Sequence, residues 1–304
     1  MTANLLFIHA LTSLHPGTGQ GVGVIDLPVA REVATGIPYL PGSSLKGVLR
    51  DRCADDNIRT QVFGPDTASI TDANARAGAA IFADQRLLLL PVRSLAGTFA
   101  WVTSPFILRR FERDCRLAGI QPPDALTEPE PQQARVPKTT VLRPTGTSRT
   151  IYLEDLDLES KWGKDARRWA EWLQQALFPG DANWQTLFQQ RFCIVHDDVL
   201  SFLLSTATEI TARNVLDSNK TSKNLWYVES LPAETVLYGP IMAQQVGDGP
   251  LPAAVLAEVG RLMTEPLQLG GNASVGRGLC RLVPVSPETA ATFTATTEGD
   301  GHEE

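Results

Sequence analysis

From Thr12 to Pro41 the chain carries Pro16, Gly17, Gly19, Gly21, Gly23, Pro28, Gly36, Pro38 and Pro41, a density of breakers that excludes a helix. The segment follows an apolar run, Leu5 to Leu11, that reads as a strand. It precedes Leu45, Val48, Leu49 and Arg52 at helical spacing. A helix is therefore expected over 44–55, with Ser43 or Ser44 as its N-cap and Lys46, Arg50 and Asp51 on its exposed side. The first strand and first helix must then be joined by a long irregular loop, and such loops inside a compact domain are usually functional.

Downstream, Ala79 to Val92 is β-rich, and Ser104 to Leu117 predicts a helix bearing Arg109, Arg110, Arg113 and Arg116. Residues 120–150 hold Pro122, Pro123, Pro129, Pro131, Pro137 and Pro144 and read as an irregular insertion. Residues 160–190 are expected to be helical around Pro179-Gly180, with Trp162, Trp169, Trp172, Trp184 and Phe188 as a packing stripe rather than a base-stacking platform. Phe192 to Val195 reads as a strand, and Asp197 or Asp198 can cap a short helix through Leu204. Ile210 to Tyr238 alternates as a hairpin with Asp217 to Asn224 at its polar tip. Val236 to Ala243 continues as strand, Pro252 to Met263 as helix, and Leu279 to Val285 as a closing strand. This order suits an α+β, ferredoxin-like (RRM-like) core, single or doubled, with elaborations.

Composition narrows the function classes. With 43% apolar and 20% charged residues over 304 positions, the chain is a folded globular protein rather than a disordered one. Cys53, Cys115, Cys193 and Cys280 lie far apart with no finger spacing, which excludes the usual zinc signatures. No window approaches a membrane-spanning apolar run, and the start has no basic n-region, so a cytoplasmic protein with reduced thiols and no membrane partner is expected. The net charge of −7 argues against a polyanion partner only at first sight. Residues 287–304 carry Glu288, Glu298, Asp300, Glu303 and Glu304 with no Lys or Arg, and are expected to form a disordered acidic tail. Without them the body stands at −2, and clustered cations on a near-neutral body can still bind nucleic acid.

Four constellations carry possible chemistry. Gly17, Gly19, Gly21 and Gly23 superficially match a dinucleotide-binding loop, but that fingerprint needs a helix directly after it, and Val24-Ile-Asp-Leu-Pro28 follows instead. Either the loop lets an RNA backbone approach and presents His15 and Asp26 at its two ends, or Asp26 merely caps a turn before Pro28. Ser43, Ser44, Lys46 and Arg50 at a helix N-terminus make either a phosphate cradle or a capped surface helix. Gly270, Gly271, Asn272, Gly276, Arg277 and Gly278 combine close approach, consecutive N–H donors and one arginine, as phosphate sites do. The hairpin tip, with Lys220 and Lys223 and flanked by Trp226 and Tyr227, is either simply solvated or a wedge between bases. The histidines His9, His15, His196 and His302 form no Ser/His/Asp or Cys/His pattern. RNA, however, carries its own nucleophile in the 2′-OH, so a carboxylate holding a divalent ion, or a base and an acid, can suffice.

Taken together, the run from His15-Pro-Gly to Asp26-Leu-Pro-x-x-Arg-Glu and the run Gly36-Ile-Pro-Tyr-Leu-Pro-Gly-Ser-Ser-Leu-Lys-Gly-Val-Leu-Arg50 resemble one family closely. It is the repeated backbone subunit of the type III-B CRISPR (Cmr) effector complex, within the RAMP superfamily. Leu87 to Leu95, Phe99 to Val102, Ala207 to Ile210, Leu225 to Pro232 and Gly270 to Gly278 match as well. The resemblance implies an RRM-like palm (1–119 and 191–286) with a protruding thumb hairpin at about 207–238 and an insertion at 120–190 that no motif matches. It implies partners: guide RNA, complementary target RNA, head-to-tail copies of itself, and other Cmr subunits, namely the large subunit, the small subunit and guide-end capping RAMP subunits.

In that family the palm holds the guide, and each thumb exposes a target linkage to a neighbouring subunit's Asp. The matching catalytic positions are Asp26, with His15 beside it, and Tyr227 and Glu229 as assisting groups. Asp26 would bind a divalent ion, Mg or Mn, or position the linkage, giving 2′,3′-cyclic phosphate and 5′-hydroxyl ends. Two alternatives share most of these features: a non-catalytic RNA-binding scaffold of the same filament, and a CRISPR precursor-RNA processing nuclease.

Overall fold

The computed structural model describes residues 1–19, 21, 24–65, 77–124, 126–146 and 149–299, with the side chains of Leu216 and 294–299 left out. Gln20, Gly23, Asp300, His302, Glu303 and Glu304 lie outside the described residues.

Strand β1 (Thr2–Ala10) is buried from Leu5 to Ala10 without alternation, because it is sandwiched within the sheet and covered on both faces. After the loop and the short β2 (Tyr39–Leu40) comes α1 (Gly42–Arg52), which turns Leu45 and Leu49 inward. Its cap differs from the expectation. Ser43 and Ser44 lie exposed within the first turn and cap nothing, while the Gly42 N–H donates to Asp84 Oδ1 at 2.9 Å. A side chain at Gly42 would collide with the Phe82 carbonyl, so only glycine lets the helix start here. The helix also stops earlier than expected, and α2 (Asp56–Phe63) restarts from Asp55, whose carboxylate accepts from the N–H groups of Asn57 and Ile58.

The next elements are β3 (Ala80–Phe82), β4 (Gln85–Arg93), β5 (Phe99–Thr103) and α3 (Pro105–Leu117). Then follow β6 (Gln133–Val136), β7 (Thr150–Leu153), β8 (Leu156–Trp162), α4 (Lys164–Leu177), α5 (Ala182–Arg191), β9 (Phe192–Val195) and α6 (Asp197–Thr206). The chain ends with β10 (Glu209–Leu216), β11 (Ser222–Ser230), β12 (Val236–Ala243), α7 (Pro252–Arg261), β13 (Leu267–Gln268), β14 (Leu279–Val285) and α8 (Pro287–Gly299).

The main sheet runs β13-β14-β1-β12-β4-β5-β9-β6-β8-β7, largely antiparallel. Within it, β1, α1, β4, β12, α7 and β14 form a βαββαβ unit with strands in the spatial order fourth, first, third, second: the RRM-like palm. All residues between β4 and β12 are inserted into that unit. The insertion is not irregular throughout, however: β6, β7 and β8 extend the palm sheet beyond β9, and β8 occupies the stretch to Trp162 that was expected to be helical. Backbone hydrogen bonds offered by β9 outweigh the local proline content.

The aromatic stripe packs in part, since Trp162 and Trp184 are exposed, the latter stacked on Phe178. Trp169, Trp172 and Phe188 are buried; Phe111 meets Trp172 at 5.7 Å between ring centres and Trp101 meets Phe188 at 5.1 Å. Neither aspartate caps α6: His196 takes that position and accepts from the Asp198 N–H, while Asp197 accepts from the Phe106 N–H at the start of α3. The acidic tail is ordered at its start, since α8 buries Ala290 and Phe293, the latter edge-on to Trp172 at 5.6 Å. The four cysteines are buried and free; burial pushes the thiols of Cys193 and Cys280 up to about 12. Among the described residues no helix is long and apolar enough to cross a membrane.

Candidate nucleic-acid interface

The hairpin of β10 and β11 forms its own two-stranded sheet, and Val236 already belongs to the palm, so the hairpin is shorter than the stretch to Tyr238. At its tip Asp217 Oδ1 accepts from the N–H groups of Asn219 and Thr221, and Lys220 takes a left-handed φ of 60°. Lys220 and Lys223 are exposed.

The glycine-rich loop is not free. Leu27 pairs with Val228 as a parallel bridge, with Leu27 N–H donating to the Tyr227 carbonyl and Glu229 N–H to the Leu27 carbonyl. Glu229 locks this addition: its buried carboxylate accepts from the Val29 N–H at 3.0 Å and pairs with Arg31 at 2.5 Å. Arg31 donates onward to the carbonyls of Gly36 and Leu204. Glu229 thus positions the loop, and it lines a cleft with Ile25, Pro28 and Arg31 rather than the one that Asp26 lines.

Asp26 is exposed at the edge of this three-segment ribbon. Its Oδ2 accepts from the backbone N–H of Tyr227 at 2.7 Å, and Oδ1 has no partner among the described residues. The carboxylate opens on a cleft lined by Gly21, Leu27, Asn224, Leu225 and Trp226. Tyr227 contributes its N–H here; its side chain is solvent-exposed.

His15 lines a different cleft from Asp26. It is buried, and its Nδ1 donates to the Glu229 carbonyl at 2.6 Å, which leaves Nε2 as the ring's open position. It lines a second cleft with Gly17, Gly19, Ser43, Ser44, Gly47, Asp51, Gly270 and Gly271, and Leu27 is the one side chain that borders both clefts. Cross-bridges from Leu14 to Leu231 and from Gly17 to Val29 fold the loop back on itself and bring its two ends together against β11.

The second cleft gathers the α1 N-terminus and the glycine loop. Gly270 has φ of 72° and abuts the His15 carbonyl, so a Cβ there would stand 2.5 Å from that oxygen. Asn272, Gly276 and Gly278 are also left-handed, at 64°, 78° and 78°, which turns the loop tightly around Ala273 to Val275. Lys46 at the flank has no ion-pair partner among the described residues. Arg50, by contrast, is engaged: its Nη1 donates to the Gly64 carbonyl. Arg277 is engaged too, donating to Ser230 Oγ at 2.7 Å and Thr211 Oγ1 at 2.8 Å, with Glu209 at 3.6 Å. Its guanidinium ties the glycine loop to the hairpin base.

The described residues supply no all-protein cage for a divalent ion. Asp26 offers one carboxylate, Glu229 is consumed by Arg31 and Val29, and no group of three or more His, Cys, Asp or Glu converges among the described residues. Magnesium or manganese held here would take Asp26 as its one protein carboxylate and complete its shell with water and RNA phosphate oxygens.

Sequence reasoning gave Arg31 no role: it is visible only as a member of the Leu-Pro-x-x-Arg-Glu run.

Comparison with known proteins agrees with this architecture. The model of the RAMP superfamily matches residues 7–281. The CRISPR system Cmr endoribonuclease Cmr4 of Pyrococcus furiosus is 33% identical over 292 residues, 93% of this chain and 95% of its own. The crystal structure of oligomeric Cmr4 from Pyrococcus furiosus superposes with a TM-score of 0.71 at 26% identity, covering 94% of this chain and 98% of that one. A chain of the type III-B Cmr-beta complex bound to cognate target RNA shares the fold, with a TM-score of 0.71 at 17% identity over 96% and 99% of the two chains. With the palm topology, the family match over most of its length and an end-to-end relative, the chain belongs to the RAMP superfamily and, within it, to the Cmr4 family.

Proposed function

We propose that this chain is a backbone subunit of a type III-B CRISPR effector acting in the cytoplasm, and that it cleaves complementary target RNA at regular intervals. Copies stack head-to-tail with other Cmr subunits along a guide RNA. The observation that carries the reading is Asp26: an exposed carboxylate with one oxygen pinned by a backbone N–H and the other open to a cleft beneath Leu225 and Trp226.

Guide phosphates occupy the second cleft, where the α1 N-terminus, Lys46 and the left-handed glycine loop supply N–H donors and positive charge. The β10–β11 hairpin acts as the thumb, with Trp226 and Leu225 separating target bases. Cleavage proceeds by attack of the target's own 2′-oxygen on phosphorus while the bond to the 5′-oxygen breaks. The 2′-OH proton passes to a base, for which Asp26 Oδ1 is the group at hand, and the 5′-oxygen gains a proton. The products are a 2′,3′-cyclic phosphate and a 5′-hydroxyl.

A non-catalytic scaffold is the rival, favoured by Asp26 standing without a second acid or base in its cleft. The deciding experiment is cleavage of end-labelled target by the guide-loaded complex, with and without EDTA, comparing wild type with Asp26→Ala. Evenly spaced products that vanish in the variant while target binding survives support the slicing reading. An unchanged ladder in the variant makes the chain a scaffold. Loss of the wild-type ladder in EDTA would show that an ion arriving with the RNA takes part.

A further inference from the structure

Among the described residues, the cleft that holds Asp26 is lined by one carboxylate and no cation. A phosphodiester entering it meets like charge, and the phosphorane formed during cleavage carries still more negative charge. A cation facing this site would offset that charge.

The hairpin register points to one. Arg213 on β10 stands directly opposite Trp226 on β11, so both side chains leave the same face of the hairpin with Cβ atoms about 5 Å apart. Trp226 lines the Asp26 cleft, and the next residue, Tyr227, holds Asp26 through its N–H. Across the ribbon the order is therefore Arg213, then Trp226 and Tyr227, then Asp26. Two strand spacings put the Arg213 and Asp26 backbones roughly 10 Å apart, a gap that a bound phosphodiester and an extended arginine side chain can fill.

Arg213 is also unspent. Its Nε is buried with no hydrogen-bond partner, and its guanidinium has no ion pair among the described residues. The other arginine on this face, Arg277, is taken up by Thr211 and Ser230. Lys220 and Lys223 lie out at the hairpin tip.

We propose that Arg213 holds the phosphate of the target-RNA linkage presented to Asp26, with the Trp226 indole stacking an adjoining base. The assignment rests on the target-cleaving reading above. A guanidinium suits the task because its planar fork can hold two phosphate oxygens at once, here through the two Nη groups, since Nε is buried.

The test compares wild type, Arg213→Ala and Arg213→Gln in the guide-loaded complex. Cleavage is measured at saturating target, and target affinity is measured against salt. The expected result is at least a tenfold slower cleavage in both variants, a salt slope reduced by about one, and unchanged guide loading. Wild-type rate and slope in Arg213→Ala overturn the proposal, as does failure of both variants to load guide, which would make Arg213 structural. If wild type itself does not cut, the function reading falls; the salt slope still decides whether Arg213 touches phosphate.

Discussion

The backbone N–H of Tyr227 donates a 2.7 Å hydrogen bond to Asp26 Oδ2, joining residues 201 positions apart in the chain. That bond, with the Leu27–Val228 bridge beside it, makes the carboxylate a feature of the hairpin rather than of its own loop. Anything that moves the hairpin base moves Asp26.

Glu229 is the lock on that arrangement. Glu229→Ala leaves the Arg31 guanidinium and the Val29 N–H without their partner in a buried setting. The expected cost is about 2–4 kcal/mol, below the full value for a buried pair because Arg31 is a quarter exposed. Target cleavage should fall while guide binding persists, and Glu229→Gln, which keeps an acceptor, should lose less. Denaturant unfolding and single-turnover cleavage measure the two effects; a variant with wild-type stability would show that the ion pair contributes nothing.

Lys46 and Arg50 sit about a turn apart but should behave differently. Lys46→Ala should weaken guide binding and reduce its salt slope by about one, with melting temperature unchanged. Arg50→Ala should lower the melting temperature, because the guanidinium satisfies the Gly64 carbonyl at the end of α2. Salt titrations and thermal melts on both variants separate the roles, and an Arg50→Ala protein that only changes the salt slope would reverse this assignment.

Acid stability should depend on Glu32. Two hydrogen bonds from Arg110, at 2.6 and 2.8 Å, hold its carboxyl below the ordinary value against the opposing effect of burial, with Thr35 and Arg86 assisting. A carboxylate depressed in the folded state stabilises the fold above its unfolded value, and that contribution is lost as pH falls through the folded value. The melting-temperature gap between wild type and Arg110→Gln should therefore be widest near neutrality and close below about pH 4. A gap that stays constant through that range would remove Glu32 from the account.

Local pattern alone determined a good deal of this molecule. The unbroken apolar run of β1, the amphipathic α3, the short β9 and the β10–β11 hairpin with its polar tip follow from periodicity and turn chemistry, which act over a few residues. The βαββαβ order and the motif runs around His15, Asp26 and Gly270 were likewise legible, and the family follows from them. Tertiary structure alone decided how the site is assembled. The cap of α1 is Asp84, a residue 42 positions away, and β6 to β8 are strands because β9 offers them an edge. His15 and Asp26 border neighbouring clefts because cross-bridges tie both ends of their loop to each other and to β11. Arg277 is spent on the hairpin and Arg213 is not, because a guanidinium's partners depend on which distant hydroxyls fall within about 3 Å of it, and no spacing along the chain encodes that distance.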